Sequence, residues 1–177
     1  SIHHAYDREF LRQAVNKVLA ANGLADARLR LTLTNGPIAE TVEQASPTLL
    51  VTATSLQGYP SEYYQTGVMV VLCPYRQNTT EPICGHKTTN YYPRLLALTL
   101  ARQKGAAESL WFTTDNRLAE GCISNVFLLK TSVLYTPPLQ TPVLAGIARK
   151  AVCRIAKTEF AAGVRRIGLP RIGCGYG

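Results

Sequence analysis

The stretch GHKTTNYYPRLLAL, residues 85–98, sets Lys87 directly ahead of a segment that reads as the start of a helix. A cation is poorly placed there, because the helix dipole favours negative charge at that end. The same field favours a neutral amine, the form of lysine that attacks aldehydes to give a Schiff base. Taken alone, Lys87 also reads as an ordinary surface lysine. A second group lies in NRLAEGCISNVFLL, residues 116–129, where Glu120 ends a strand and precedes Gly121, with Ser124 and Asn125 ahead of an apolar run. That arrangement is either a plain turn or a carboxylate aimed into a site, flanked by two hydrogen-bonding side chains. In PVLAGIARKAV, residues 142–152, a loop enters a helix through Gly146. Free amides at a helix N-terminus can bind an anion, and a glycine lets the anion come close; a simple loop–helix junction explains the same residues.

These groups need a framework to hold them. Asp7 is placed to cap a helix running to about Ala21, with Gly23 as its stop. ARLRLTLTNG alternates leucine with polar residues, which predicts a half-buried strand ending in an Asn-Gly turn. TLLVTATS and GVMVVLCP read as two more strands, so residues 1–76 are expected to form an N-terminal α+β domain. The Pro-, Asn- and Thr-rich stretch that follows predicts a linker over residues 77–86. A second, C-terminal domain is expected over residues 87–160. Its elements are a helix from about Asn90 to Lys104, short strands in ESLWFTT, RLAEG, ISNVFLLK and VLYT, and a last helix from about Ile147 to Phe160. Residues 161–177, glycine-rich and basic, have no usable periodicity and read as an atypical tail.

The 177 residues carry a formal charge of +8, which raises the question of nucleic acid. The charge is concentrated: residues 149–177 hold seven Arg or Lys against the single acid Glu159, and the rest of the chain is nearly neutral. A local basic tail argues against a nucleic-acid surface. No apolar run approaches the roughly 20 residues needed to span a bilayer, and the first residues show no signal-peptide pattern, so a cytoplasmic protein is expected. The five cysteines show no CxxC spacing, which predicts small buried residues and no metal site.

Taken in order, K-x-x-N-Y at Lys87–Tyr91, E-G-x-x-S-N at Glu120–Asn125, T-P-P-L at Thr136–Leu139 and G-I-x-R at Gly146–Arg149 resemble the class IV aminotransferases. These are the fold-type IV pyridoxal-phosphate enzymes, which include branched-chain aminotransferase, D-amino-acid aminotransferase and aminodeoxychorismate lyase. The resemblance implies an α+β fold with a small N-terminal domain and part of a C-terminal pseudo-barrel. It implies that Lys87 holds pyridoxal 5′-phosphate and moves protons, and that Glu120 keeps the pyridine nitrogen protonated. Tyr91 would lie near the phenolic oxygen, and Ser124 and Asn125 would line the pocket. The backbone of Gly146, Ile147 and Ala148 would bind the phosphate. The family usually has threonine at the position of Ala148, and its members extend beyond both ends of this chain, so a truncated fragment is expected. The implied activity is amino transfer between an amino acid, branched-chain or similar, and a 2-oxo acid, by a homodimer. The rival within the family is aminodeoxychorismate lyase, which releases 4-aminobenzoate and pyruvate. An inactive remnant, or a binding module using the basic tail, is the alternative from another class.

Overall fold

A computed structural model describes residues 2, 5–37, 41, 46–131, 133–141 and 143–161. The basic tail from residue 162 onward lies outside the described residues. The chain divides into two compact units, with the boundary between Gly58 and Tyr59.

The first unit opens with helix α1, Arg8–Asn22. The Asp7 carboxylate accepts the Phe10 N–H at 2.7 Å, satisfying one of the amides left over at the helix start. At the other end Gly23 takes the left-handed conformation, φ 61°. Its N–H and that of Leu24 return to the carbonyls of Ala20 and Leu19, the paired bonds of a glycine stop. Strands β1, Ala27–Thr34, and β2, Thr48–Ser55, pair antiparallel along their full length, and α1 packs on β2. The expected Asn-Gly turn does not lead directly into the next strand, since β2 begins only at Thr48. Gly36 instead adopts φ 76° in a longer loop, where a Cβ would run into the Ser46 carbonyl. Leu29 and Leu31 stay exposed, so the alternation of β1 does not produce a buried face within this unit.

The second unit contains a short helix α2, Glu62–Thr66, then β3, Val70–Gln77. Strand β3 pairs in parallel with β4, Glu108–Thr113, and β4 pairs antiparallel with β5, Leu118–Gly121, giving the order β3-β4-β5. Parallel neighbours need a crossover, and helix α3, Tyr92–Gln103, supplies it, burying Ala97, Leu98 and Ala101. The third expected strand therefore belongs to the second unit, and residues 77–86 lie within that unit rather than between two domains. An apolar run reads the same whichever sheet it joins; its partner, here on the far side of α3, decides. Pro74 has no N–H to give, and the β3–β4 register shifts between Leu72 and Arg76, as an edge strand tolerates.

Strands β6, Leu128–Lys130, and β7, Val133–Tyr135, form a separate antiparallel pair. ISNVFLLK is thus a strand only over its last three residues; Ile123–Phe127 form a loop whose polar groups are used locally. Helix α4, Ile147–Ala161, closes the described chain. The core gathers Cys73, Ala97, Leu98, Trp111, Ala119, Cys122 and Val143. Burial pushes the Cys122 thiol up to about 12, which keeps it a small core thiol at neutral pH.

Candidate active site

The site is built on the turn that leaves β5. Glu108, at the start of β4, is buried and turns its carboxylate under this turn. Oε1 accepts the Ser109 and Cys122 amides, both at 2.8 Å, and Oε2 accepts the Ile123 amide at 3.2 Å and the Ser124 hydroxyl at 2.8 Å. The Gly121 N–H closes the turn on the Ser124 carbonyl at 2.7 Å. A Cβ on Gly121 would sit 2.7 Å from Glu108 Oε2, so only glycine leaves room for the carboxylate. Ser124 therefore serves the turn, with its hydroxyl committed to Glu108.

One residue earlier, Glu120 points its carboxylate the other way. Oε1 accepts Arg94 Nη2 at 2.8 Å; Oε2 accepts the Leu144 amide at 2.9 Å and Asn125 Nδ2 at 3.4 Å. Asn125 also donates to the Leu144 carbonyl at 3.1 Å. Burial raises the pKa of Glu120, with the Arg94 cation and the Leu144 N–H pulling it back and Glu108 adding to the rise.

Lys87 lies in the loop before α3, exposed, with Nζ 6.0 Å from the centre of the Tyr91 ring. The helix starts at Tyr92, five residues on, so Lys87 is outside the first turn in which a helix-end field acts. The Tyr91 hydroxyl donates to the Cys122 carbonyl at 2.6 Å, and burial raises its pKa. Lys87, Tyr91, Glu120, Ser124 and Asn125 line one cavity of about 390 Å³. Gly146, Ile147 and Ala148 do not line it; the cavity stops at Leu144. The structure gives Gly146 a packing reason, since a Cβ there would run into the Asn125 side chain. The first bond of α4 is from the Lys150 N–H to the Gly146 carbonyl at 2.9 Å, and Ile147 is 90% exposed.

Arg94, Glu108, Gln77 and Leu144 are site residues that the motifs do not mark. Arg94 alone had a signal: a second cation in the first turn of a helix is as misplaced as Lys87 looked. Glu108 sits inside an ordinary strand pattern and Gln77 at the start of the stretch read as a linker, and neither gives a signal.

The family model for amino-transferase class IV matches residues 1–169. The chain belongs to this family. Aminodeoxychorismate lyase of Bacillus subtilis (strain 168) is 28% identical to the class IV chain over 163 residues, 88% of this chain and 54% of that protein. The crystal structure of Escherichia coli branched-chain amino acid aminotransferase matches with a TM-score of 0.77 at 26% identity, over 89% of this chain and 54% of the other. The T.th. branched-chain amino acid aminotransferase with pyridoxamine 5′-phosphate matches with a TM-score of 0.73 at 26% identity, over 87% and 51%. The fold is therefore the α+β fold of the class IV aminotransferases, and the chain spans about half the length of these relatives. Among the described residues no helix is long and apolar enough to cross a membrane.

Proposed function

We propose that the cavity binds pyridoxal 5′-phosphate and that this class IV chain serves amino transfer between an amino acid, branched-chain or similar, and a 2-oxo acid, as a homodimer. The observation that carries the reading is that Lys87 and Glu120, from a loop before α3 and from the end of β5, line the same cavity. Its volume lies in the usual range for small-molecule sites, about 300–1,000 Å³. The residues fit the cofactor at two points. Lys87 offers an amine open to the cavity, and Glu120 keeps acceptor capacity, since a carboxylate has about four acceptor sites and three are filled here.

When bound, pyridoxal phosphate supplies an aldehyde for attachment and a ring that takes up electrons from the substrate carbon. The amine of Lys87 would be the group that holds the aldehyde, and its Nζ would carry a proton when free. Glu120 would favour a proton on the ring nitrogen by accepting a hydrogen bond from it. Tyr91, which lines the cavity, keeps its own proton on the Cys122 carbonyl, so its oxygen can serve only as an acceptor. Ile147 and Ala148 do not line the cavity, so their amides would meet the phosphate only beyond its edge at Leu144, where the loop is tied to Glu120.

The test is reduction of the protein–pyridoxal phosphate mixture with borohydride, followed by peptide mapping. The phosphopyridoxyl label is expected on Lys87 and is expected to vanish in Lys87→Ala. Labelling of another lysine, or none, overturns the reading. A lyase reading has its own support, because a lyase relative stands at 28% identity beside aminotransferase structures at 26%. Pyruvate release from aminodeoxychorismate without any 2-oxo acid acceptor would establish it in place of amino transfer.

A further inference from the structure

We propose that Arg94 is the positioning residue for Glu120, holding that carboxylate ionised and turned so that its remaining acceptor site meets a ring nitrogen in the cavity. The inference rests on the reading of Glu120 given above. It goes beyond it by assigning a function to a helix residue that no motif includes.

The guanidinium of Arg94 is fixed on several sides. Nη1 donates to the Gly121 carbonyl at 2.7 Å, and Nη2 donates to Gln77 Oε1 at 2.7 Å and to Glu120 Oε1 at 2.8 Å. Its central carbon lies 4.8 Å from the centre of the Trp111 ring, a cation–π contact. Gln77 ends β3, Trp111 lies in β4 and Gly121 ends β5, so all three strands of the sheet define where the cation sits. The side chains of Arg94 and Glu120 are 17% and 10% exposed, so neither charge is well solvated and each depends on the other. Glu108, on the adjacent strand, adds a like charge that makes the ionised form of Glu120 harder to keep. A neutral carboxyl cannot hold a proton on the ring nitrogen by charge; an ionised one can. Arg94 fills the acceptor site on Oε1, Leu144 and Asn125 occupy Oε2, and the remaining capacity belongs to the cavity that Glu120 lines.

A simpler role is open to Arg94: a brace that ties the end of β3 to the end of β5. The two roles separate when affinity is measured for pyridoxal phosphate and for its analogue with the ring nitrogen replaced by C–H. The proteins are the full 177-residue chain as wild type, Glu120→Gln, Arg94→Gln, Arg94→Lys and the Glu120→Gln/Arg94→Gln double variant, each checked by thermal melting. The wild type is expected to prefer pyridoxal phosphate by about tenfold or more, the scale of a hydrogen bond to a charged group. Glu120→Gln and Arg94→Gln are each expected to lose that preference, and the double variant to lose no more than either. Arg94→Lys keeps a cation beside Glu120 and is expected to keep the preference.

If wild type and Glu120→Gln discriminate equally, Glu120 does not meet the ring nitrogen, and the reading of Glu120 falls together with this inference. If Glu120→Gln loses the preference while Arg94→Gln keeps it, or binds both ligands equally less well, the reading of Glu120 stands and Arg94 is only a brace. Should Arg94→Gln fail to fold, Arg94→Lys decides: an equal loss for both ligands overturns the inference.

Discussion

Replacing Glu108 by glutamine removes half of what the β5 turn rests on while changing almost no volume. The carboxylate accepts four donors, two on each oxygen. Glutamine has one acceptor oxygen and an NH₂ group that can only donate. With the amide oxygen toward Ser109 and Cys122, the NH₂ faces the Ile123 N–H and the Ser124 hydroxyl. Ser124 can rotate and accept, but the Ile123 N–H cannot. With the opposite orientation, two buried amides face the NH₂, which is worse. The better orientation leaves one amide without a partner, at about 1–3 kcal/mol, and turns two charge-assisted bonds into neutral ones, at about 1 kcal/mol more. A total near 3 kcal/mol corresponds to a fall in Tm of roughly 6–12 °C for a chain of this size. Calorimetry of wild type and Glu108→Gln measures it, with Ser124→Ala as a companion expected to lose about 1 kcal/mol. A Tm for Glu108→Gln within about 2 °C of wild type would refute the argument, because a turn that places three donors on one carboxylate cannot lose an acceptor oxygen at no cost.

Two further outcomes follow from the same geometry. Gly146→Ala should lower Tm by about 2–12 °C, since the added Cβ runs into the Asn125 side chain and crowding of this kind costs roughly 1–3 kcal/mol; an unchanged melting curve would mean that Asn125 can move freely. The raised pKa of Glu120 fixes the sign of a pH effect: its contribution to stability is fully present below the ordinary carboxyl value of 4.5 and is lost as pH rises through the higher folded value. The Tm advantage of wild type over Glu120→Gln should therefore shrink from about pH 4 to about pH 8, and an advantage that grows would show that Arg94 outweighs burial.

What the sequence showed depended on how local the controlling physics was. Helix α1 was bounded correctly because Asp7 and Gly23 act within one turn. Between the expected strands ESLWFTT and RLAEG, Asn116 takes the left-handed conformation that asparagine tolerates in a tight turn. The start of α3 was misjudged by two residues because Tyr91, not Asn90, precedes the helix and gives no side-chain cap. The domain boundary was misplaced for a different reason. The apolar residues of β3 identify a buried strand but not its neighbour, and its partner β4 comes about thirty residues later, beyond α3. The loop at Ile123–Phe127 was read as strand because its apolar residues match a strand pattern; Glu108, fourteen residues upstream of Cys122, bends it away by collecting its amides.

That last contact changes what E-G-x-x-S-N means. As a string, it suggested one carboxylate with two polar helpers. In the fold it joins two carboxylates facing opposite ways across a single turn. Glycine follows Glu120 because Glu108 occupies the space where a Cβ would stand. Serine comes three residues after that glycine because its hydroxyl closes the ring of donors around Glu108. Asparagine comes next because it reaches back to Glu120 and across to Leu144. The spacing is thus set by a residue outside the motif, and the carboxylate that the motif contributes to the cavity wall is held by Arg94. Any substitution at Glu108, which does not itself line the cavity, should therefore reach it through the turn residues Cys122, Ile123 and Ser124 that it holds.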